Sequence, residues 1–159
     1  MTRRPRDSQR QAVYRWEQVI RDRFPEACTP MTLEECRALV NRVWYEYVAL
    51  GPAPLIKDGR GCKCAWGSRW FITLPCWARN PIVVLHELAH AILDYYSYKD
   101  AIHGPVFATF VLDLWATHTD IPEVVVRRMG ETQMPRRVRF AELGTMPRRL
   151  THSKAADRR

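Results

Sequence analysis

The sequence of 159 residues predicts an α+β fold, with helices, then a small antiparallel or mixed sheet of short strands, then helices again. Three observations predict it. Apolar residues recur at spacings of three and four before residue 50 and again after residue 80. Between these stretches Gly59, Gly61 and Gly67 punctuate short runs rich in aromatic and β-branched residues. The composition, 47% hydrophobic and 26% charged, can bury a core.

The first helix is expected over Asp7 to Phe24, where Ala12, Val13, Trp16, Val19 and Ile20 form an apolar stripe and Pro25 ends the run. A second opens at Thr32, whose hydroxyl and the Glu35 carboxylate are spaced as a capping box. It carries Cys36, Leu39, Val40, Val43, Trp44 and Tyr47 towards Leu50 and stops at Gly51-Pro52. Leu55 to Leu74 is expected to form two or three short strands joined by tight turns, with runs such as Cys62–Trp66 and Arg69–Leu74, the last closed by Pro75. Asn80-Pro81 then starts a helix through Tyr96 or Tyr98, with Asn80 as cap and Pro81 pre-set for the first turn. Pro105 begins a fourth helix, and Pro122 to Met129 a short fifth that ends at Gly130. Beyond Gln133 the periodicity fades. The expected organisation is one domain over 7–133 and a basic, flexible tail over 134–159.

The net charge of +8 sits at the two ends. Residues 1–10 carry +3 (four Arg, one Asp) and residues 135–159 carry +6 (eight Arg and Lys, two acids), which leaves −1 for 11–134. Basic ends can add weak, sequence-independent contact with nucleic acid; a solvated tail is the simpler reading. No apolar run approaches the ~20 residues of a membrane span, so no membrane partner is expected. The polar start argues against a secretory leader, and five cysteines form no regular disulfide framework. The cytoplasm is the expected compartment. Cys62 and Cys64 are expected to share one face of a strand as small apolar residues.

The informative segment is His86-Glu87-Leu88-Ala89-His90. Residues four apart on a helix differ by about 40° around the axis and about 6 Å along it, so both imidazoles can grip one ion. Glu87 lies one step round, placed to act on a water without being a ligand. Two neutral nitrogens and an open position suit zinc, which activates water near neutral pH. With five His and nine Glu in the chain, chance would produce this motif about 1 time in 100, so it is read as functional. A third ligand is needed. Leu93 and Tyr96 stand where the longer metzincin motif requires Gly and His, which excludes that class. His103, after the turn that precedes Gly104-Pro105, fits best; Asp100, Asp113 and His118 are rivals. Asp94 can orient an imidazole or serve only as an exposed helix acid.

The set His86-Glu87-Leu88-Ala89-His90, a twelve-residue gap, then His103-Gly104-Pro105-Val106-Phe107, resembles the SprT-like zincin family. It is closer still to a group of small metallohydrolases of actinobacteria and their phages. The resemblance spans roughly residues 70–115 and implies a zincin-like metallopeptidase with Glu87 as general base and His86, His90 and His103 as zinc ligands. Many such proteins carry a C-terminal zinc ribbon; here no Cys follows Cys76. In zincin-type clefts a sheet edge can pair with an extended substrate, which makes Trp70 or Ile72 of the strand before the motif a candidate contact; the alternative is that this strand only packs under the helix. The expected function is zinc-dependent hydrolysis of a protein or peptide substrate. The alternatives are a regulatory peptidase acting on a repressor, and a non-catalytic nucleic-acid-binding module with a structural zinc.

Overall fold

The computed structural model describes residues 5–150. It is α+β, with five α-helices and a three-stranded mixed sheet among the described residues. The helices are α1 (Arg10–Arg23), α2 (Leu33–Tyr47), α3 (Pro81–Tyr95), α4 (Pro105–His118) and α5 (Glu123–Arg128). The strands are β1 (Leu55–Asp58), β2 (Trp66–Gly67) and β3 (Phe71–Leu74). No described helix is long and apolar enough to cross a membrane.

α3 is the core of the molecule. Ile82 to Leu85, Leu88, Ala89 and Ala91 to Leu93 are buried, so the helix is enclosed on nearly every side. Its start follows the sequence: the Asn80 side chain accepts the Val83 N–H at 3.1 Å, and Pro81 occupies the first turn. Its end is a turn in which Ser97 takes a positive φ of 54°. α4 packs along α3, and the indole N–H of Trp115 donates to the Ile82 carbonyl at 2.9 Å. α2 opens with the expected capping box: Glu35 N–H donates to Thr32 Oγ1 at 3.1 Å and Thr32 N–H to Glu35 Oε2 at 2.7 Å.

The first helix begins at Arg10, three residues later than expected. The preceding side chains are engaged elsewhere. The Gln9 amide donates to the Arg139 carbonyl at 3.0 Å and accepts the Arg139 N–H at 2.8 Å, and Asp7 reaches His103. On the inner face of α1, Trp16 donates to the Val126 carbonyl at 2.9 Å and packs on Trp115 and Phe140.

β3 is the central strand, in the order β1-β3-β2: β1 runs parallel to it and β2 antiparallel. The Cys62–Trp66 run becomes strand only at Trp66. Trp66 pairs with Thr73, so a longer ladder would set residue 64 opposite Pro75, which has no N–H to donate. Cys62 and Cys64 therefore lie exposed in the preceding turn and do not pack as expected. Gly130 departs from expectation too. It lies inside a π-helical turn, Met129–Gln133, and does not cap α5; a Cβ there would stand 3.2 Å from Trp16 and Phe140.

Nor does the body end at residue 133. Met134 and Val138 are buried, Val138 N–H donates to Gly130 O at 2.8 Å, and Leu150 N–H donates to Glu46 O at 2.8 Å. The described part of the expected tail, 134–150, is thus packed on the helices through isolated apolar anchors that leave no periodic signal. Residues 151–159 lie outside the described residues.

Candidate functional site

The helical spacing of His86 and His90 brings their Nε2 atoms to 3.2 Å from each other. His103, in the turn before α4, completes the group: one nitrogen from each of the three rings lies within 4.8 Å of the others. The rings are enclosed by aromatic side chains. Phe107, one turn into α4, stacks on His90 at 4.3 Å between centroids and meets His86 and His103 edge-on. Tyr14 of α1 lies parallel to His86 at 5.6 Å and tilts against His103 at 4.9 Å.

Two carboxylates hold the outer nitrogens. Nδ1 of His86 faces Glu17 Oε2 at 2.5 Å, and Nδ1 of His103 faces Asp7 Oδ2 at 2.8 Å. A carboxylate accepts, so each Nδ1 carries the proton, and in the neutral ring Nε2 presents a lone pair. Nε2 of His103 is buried with no hydrogen-bond partner. An orphaned acceptor beside two further imidazole nitrogens is what a cation would satisfy. The 3.2 Å between the His86 and His90 nitrogens agrees: two ligands at about 2.0 Å from one tetrahedral ion stand about 3.3 Å apart. These residues fit a small divalent ion.

Burial sets the titration of the group. It pushes the Glu87 carboxyl up to about 7, with the Glu17 charge adding to the rise and His86 opposing it. It also holds His90 well below the ordinary histidine value, helped by the neighbouring His86 and His103. His103 is lowered by burial against the pull of Asp7. At His86 burial acts downward, but Glu17 outweighs it and the net shift is upward.

The group opens onto a cleft of about 400 Å³, lined by Glu87, His90 and His103 on one side and by Tyr14, Trp66 and Gly67 on others. Gly67 is required by packing: a Cβ there would lie 2.4 Å from the Glu87 carbonyl oxygen. The edge strand β2 thus runs directly against the motif helix.

Comparison with protein-family models, curated proteins and solved structures found no match to this chain. The site therefore stands on its own geometry.

The residues predicted from sequence divide into two groups. His86, Glu87, His90 and His103 converge. Of the rivals for third ligand, Asp100 accepts the Val106 N–H at the start of α4, Asp113 accepts the Tyr47 hydroxyl, and His118 lies at the far end of α4 beside Glu46. Asp94 lines the cleft, and its Oδ2 accepts the Arg69 N–H at 3.0 Å. Ile72 is fully buried beneath the helices, and Trp70 is exposed and stacked on Arg69 outside the cleft lining. Because both sides of β3 are paired, the strand edge at the cleft belongs to β2, through Trp66 and Gly67. Among the tyrosines, Tyr95 and Tyr96 donate their hydroxyls to the Leu50 and Tyr47 carbonyls, whereas Tyr98 lines the cleft.

Asp7, Tyr14 and Glu17 do not emerge from a search for motifs. One signal was available: Glu17 falls in the buried stripe of α1, between Val13, Trp16 and Ile20, where a carboxylate needs a partner.

Proposed function

We propose that this chain is a zinc-dependent metallopeptidase of the zincin-like, SprT-like kind that its motifs resemble. The observation that carries the reading is the convergence of three imidazole nitrogens within 4.8 Å, next to a buried glutamate at the floor of an open cleft. His86, His90 and His103 would hold the ion. When bound, zinc would supply a Lewis acid that lowers the pKa of water and polarises a carbonyl group.

The chain's own residues account for the remaining roles. Glu87 is 6% exposed and adjoins the three imidazoles without joining them, which places it to accept a proton from water and return it to the leaving amine. Glu17 and Asp7 keep two imidazoles in one tautomer. Phe107 and Tyr14 wall the centre with apolar surface, which strengthens electrostatic interactions inside it. The free edge of β2 offers backbone groups along which an extended peptide can lie, with Trp66 beside it.

The test is Glu87→Gln, measured for zinc content and for cleavage of an unstructured protein such as casein. The variant is expected to retain zinc and to lose turnover by at least about 10²-fold, the scale of general-base catalysis. Wild-type turnover in this variant would refute the assigned role.

A further inference from the structure

α1 contributes more to the site than a packing face. Its buried stripe of Val13, Trp16 and Ile20 would be well served by an apolar residue at position 17, yet Glu17 stands there, 6% exposed. A carboxylate at that depth is costly unless it is hydrogen-bonded, and its bond is to His86 Nδ1, 69 positions away. Ahead of the same helix, Asp7 is held out of the helical turn and grips His103 twice, accepting the backbone N–H at 3.2 Å and facing Nδ1 at 2.8 Å. Two carboxylates, one within α1 and one just ahead of it, thus present the same chemistry to two rings of one cluster. Each carboxylate takes the nitrogen turned away from the centre, and Nε2 of His103 is left buried without a partner.

Charge points the same way. A dication held by three neutral imidazoles carries +2 into a place where His86 is 1% exposed and His103 is 4% exposed. Glu17 and Asp7 bring two negative charges against its ligands, in addition to the Glu87 carboxyl.

We infer that Glu17 and Asp7 are positioning residues for metal: they fix His86 and His103 in the ligating tautomer and neutralise the bound ion, so that α1 and its lead-in are a metal-retention device. This rests on the metal reading above and adds to it a role for a helix outside both motifs.

The test measures zinc affinity of the full chain by competition with a chromophoric chelator, for wild type, Glu17→Ala, Glu17→Gln, Asp7→Ala and Asp7→Asn. Loss of an outer carboxylate is expected to weaken zinc binding about 10–100-fold in each Ala variant. Glu17→Gln should recover part of that loss, because its amide oxygen still accepts from Nδ1–H but brings no charge. A second readout is the imidazole Nδ1–H of His86 by NMR, protected from exchange in wild type and lost in Glu17→Ala. Should Glu17→Ala fail to fold, the Asp7 pair carries the test, since that side chain lies outside the core. Affinities within twofold of wild type in folded Glu17 and Asp7 variants would overturn the inference alone. A wild-type chain that takes up no zinc would overturn the metal reading and the inference with it.

Discussion

Substituting Gly67 by Ala tests how the cleft is built. Its added Cβ would stand 2.4 Å from the Glu87 carbonyl oxygen and 3.0 Å from the Glu87 Cα, and both neighbours are backbone. Ordinary contact is about 3.4 Å, so β2 and α3 must separate by about 1 Å. No flexible side chain can absorb that shift. Overpacking of this kind costs about 1–3 kcal/mol, a fall in Tm of roughly 2–12 °C for a chain of this size. The displaced backbone carries Glu87, and a misplacement near 1 Å costs about 10²-fold in rate. Thermal and urea denaturation measure the first effect and peptidase assays the second. Gly144→Ala is the control, because a Cβ there meets nothing within 4 Å. If Gly67→Ala stays within 0.5 kcal/mol of wild type, as surface substitutions do, the close approach of β2 to the motif helix is wrong.

Two further outcomes follow from the same structure. Chelation should lower Tm and zinc should restore it, since a hundredfold excess over Kd stabilises the native state by about 2.7 kcal/mol, while His103→Ala should abolish the response; differential scanning fluorimetry with and without chelator reads both. Burial holds His118 below its ordinary value of 6.5, against the pull of Glu46. Below about pH 6.5 the unfolded chain therefore binds the proton more readily than the native one, and stability falls with pH. Urea titrations from pH 7 to pH 5 should show a shallower decline in His118→Gln, and equal slopes would contradict this assignment.

The parts of the fold legible in the sequence are those encoded locally. Asn80-Pro81 and the Thr32–Glu35 box fix their helix starts through side-chain contacts within three residues, and the structure has both. The parallel pairing of β1 with β3 joins Leu55 to Phe71 across an intervening strand, and no local pattern encodes it. The same limit applies to 134–150, where Phe140 packs on Trp16 of α1 and the Leu150 N–H reaches the Glu46 carbonyl of α2. In the site, the spacing of His86, Glu87 and His90 follows from helix geometry alone. Placing His103 beside them needs the return of the chain into α4. Glu17 and Asp7 are long-range partners, and only the conflict between a carboxylate and an apolar stripe marks the first of them. Ile72 illustrates the converse: alternation puts a residue on one face of a strand without saying which face meets the cleft.

Anomalous diffraction at the zinc edge, on crystals of the full chain grown with zinc, locates the ion. One strong peak is expected among the Nε2 atoms of His86, His90 and His103, with Glu87 beside it and outside bonding distance. Diffraction that shows zinc elsewhere on the chain and none among these three rings would contradict the metal reading.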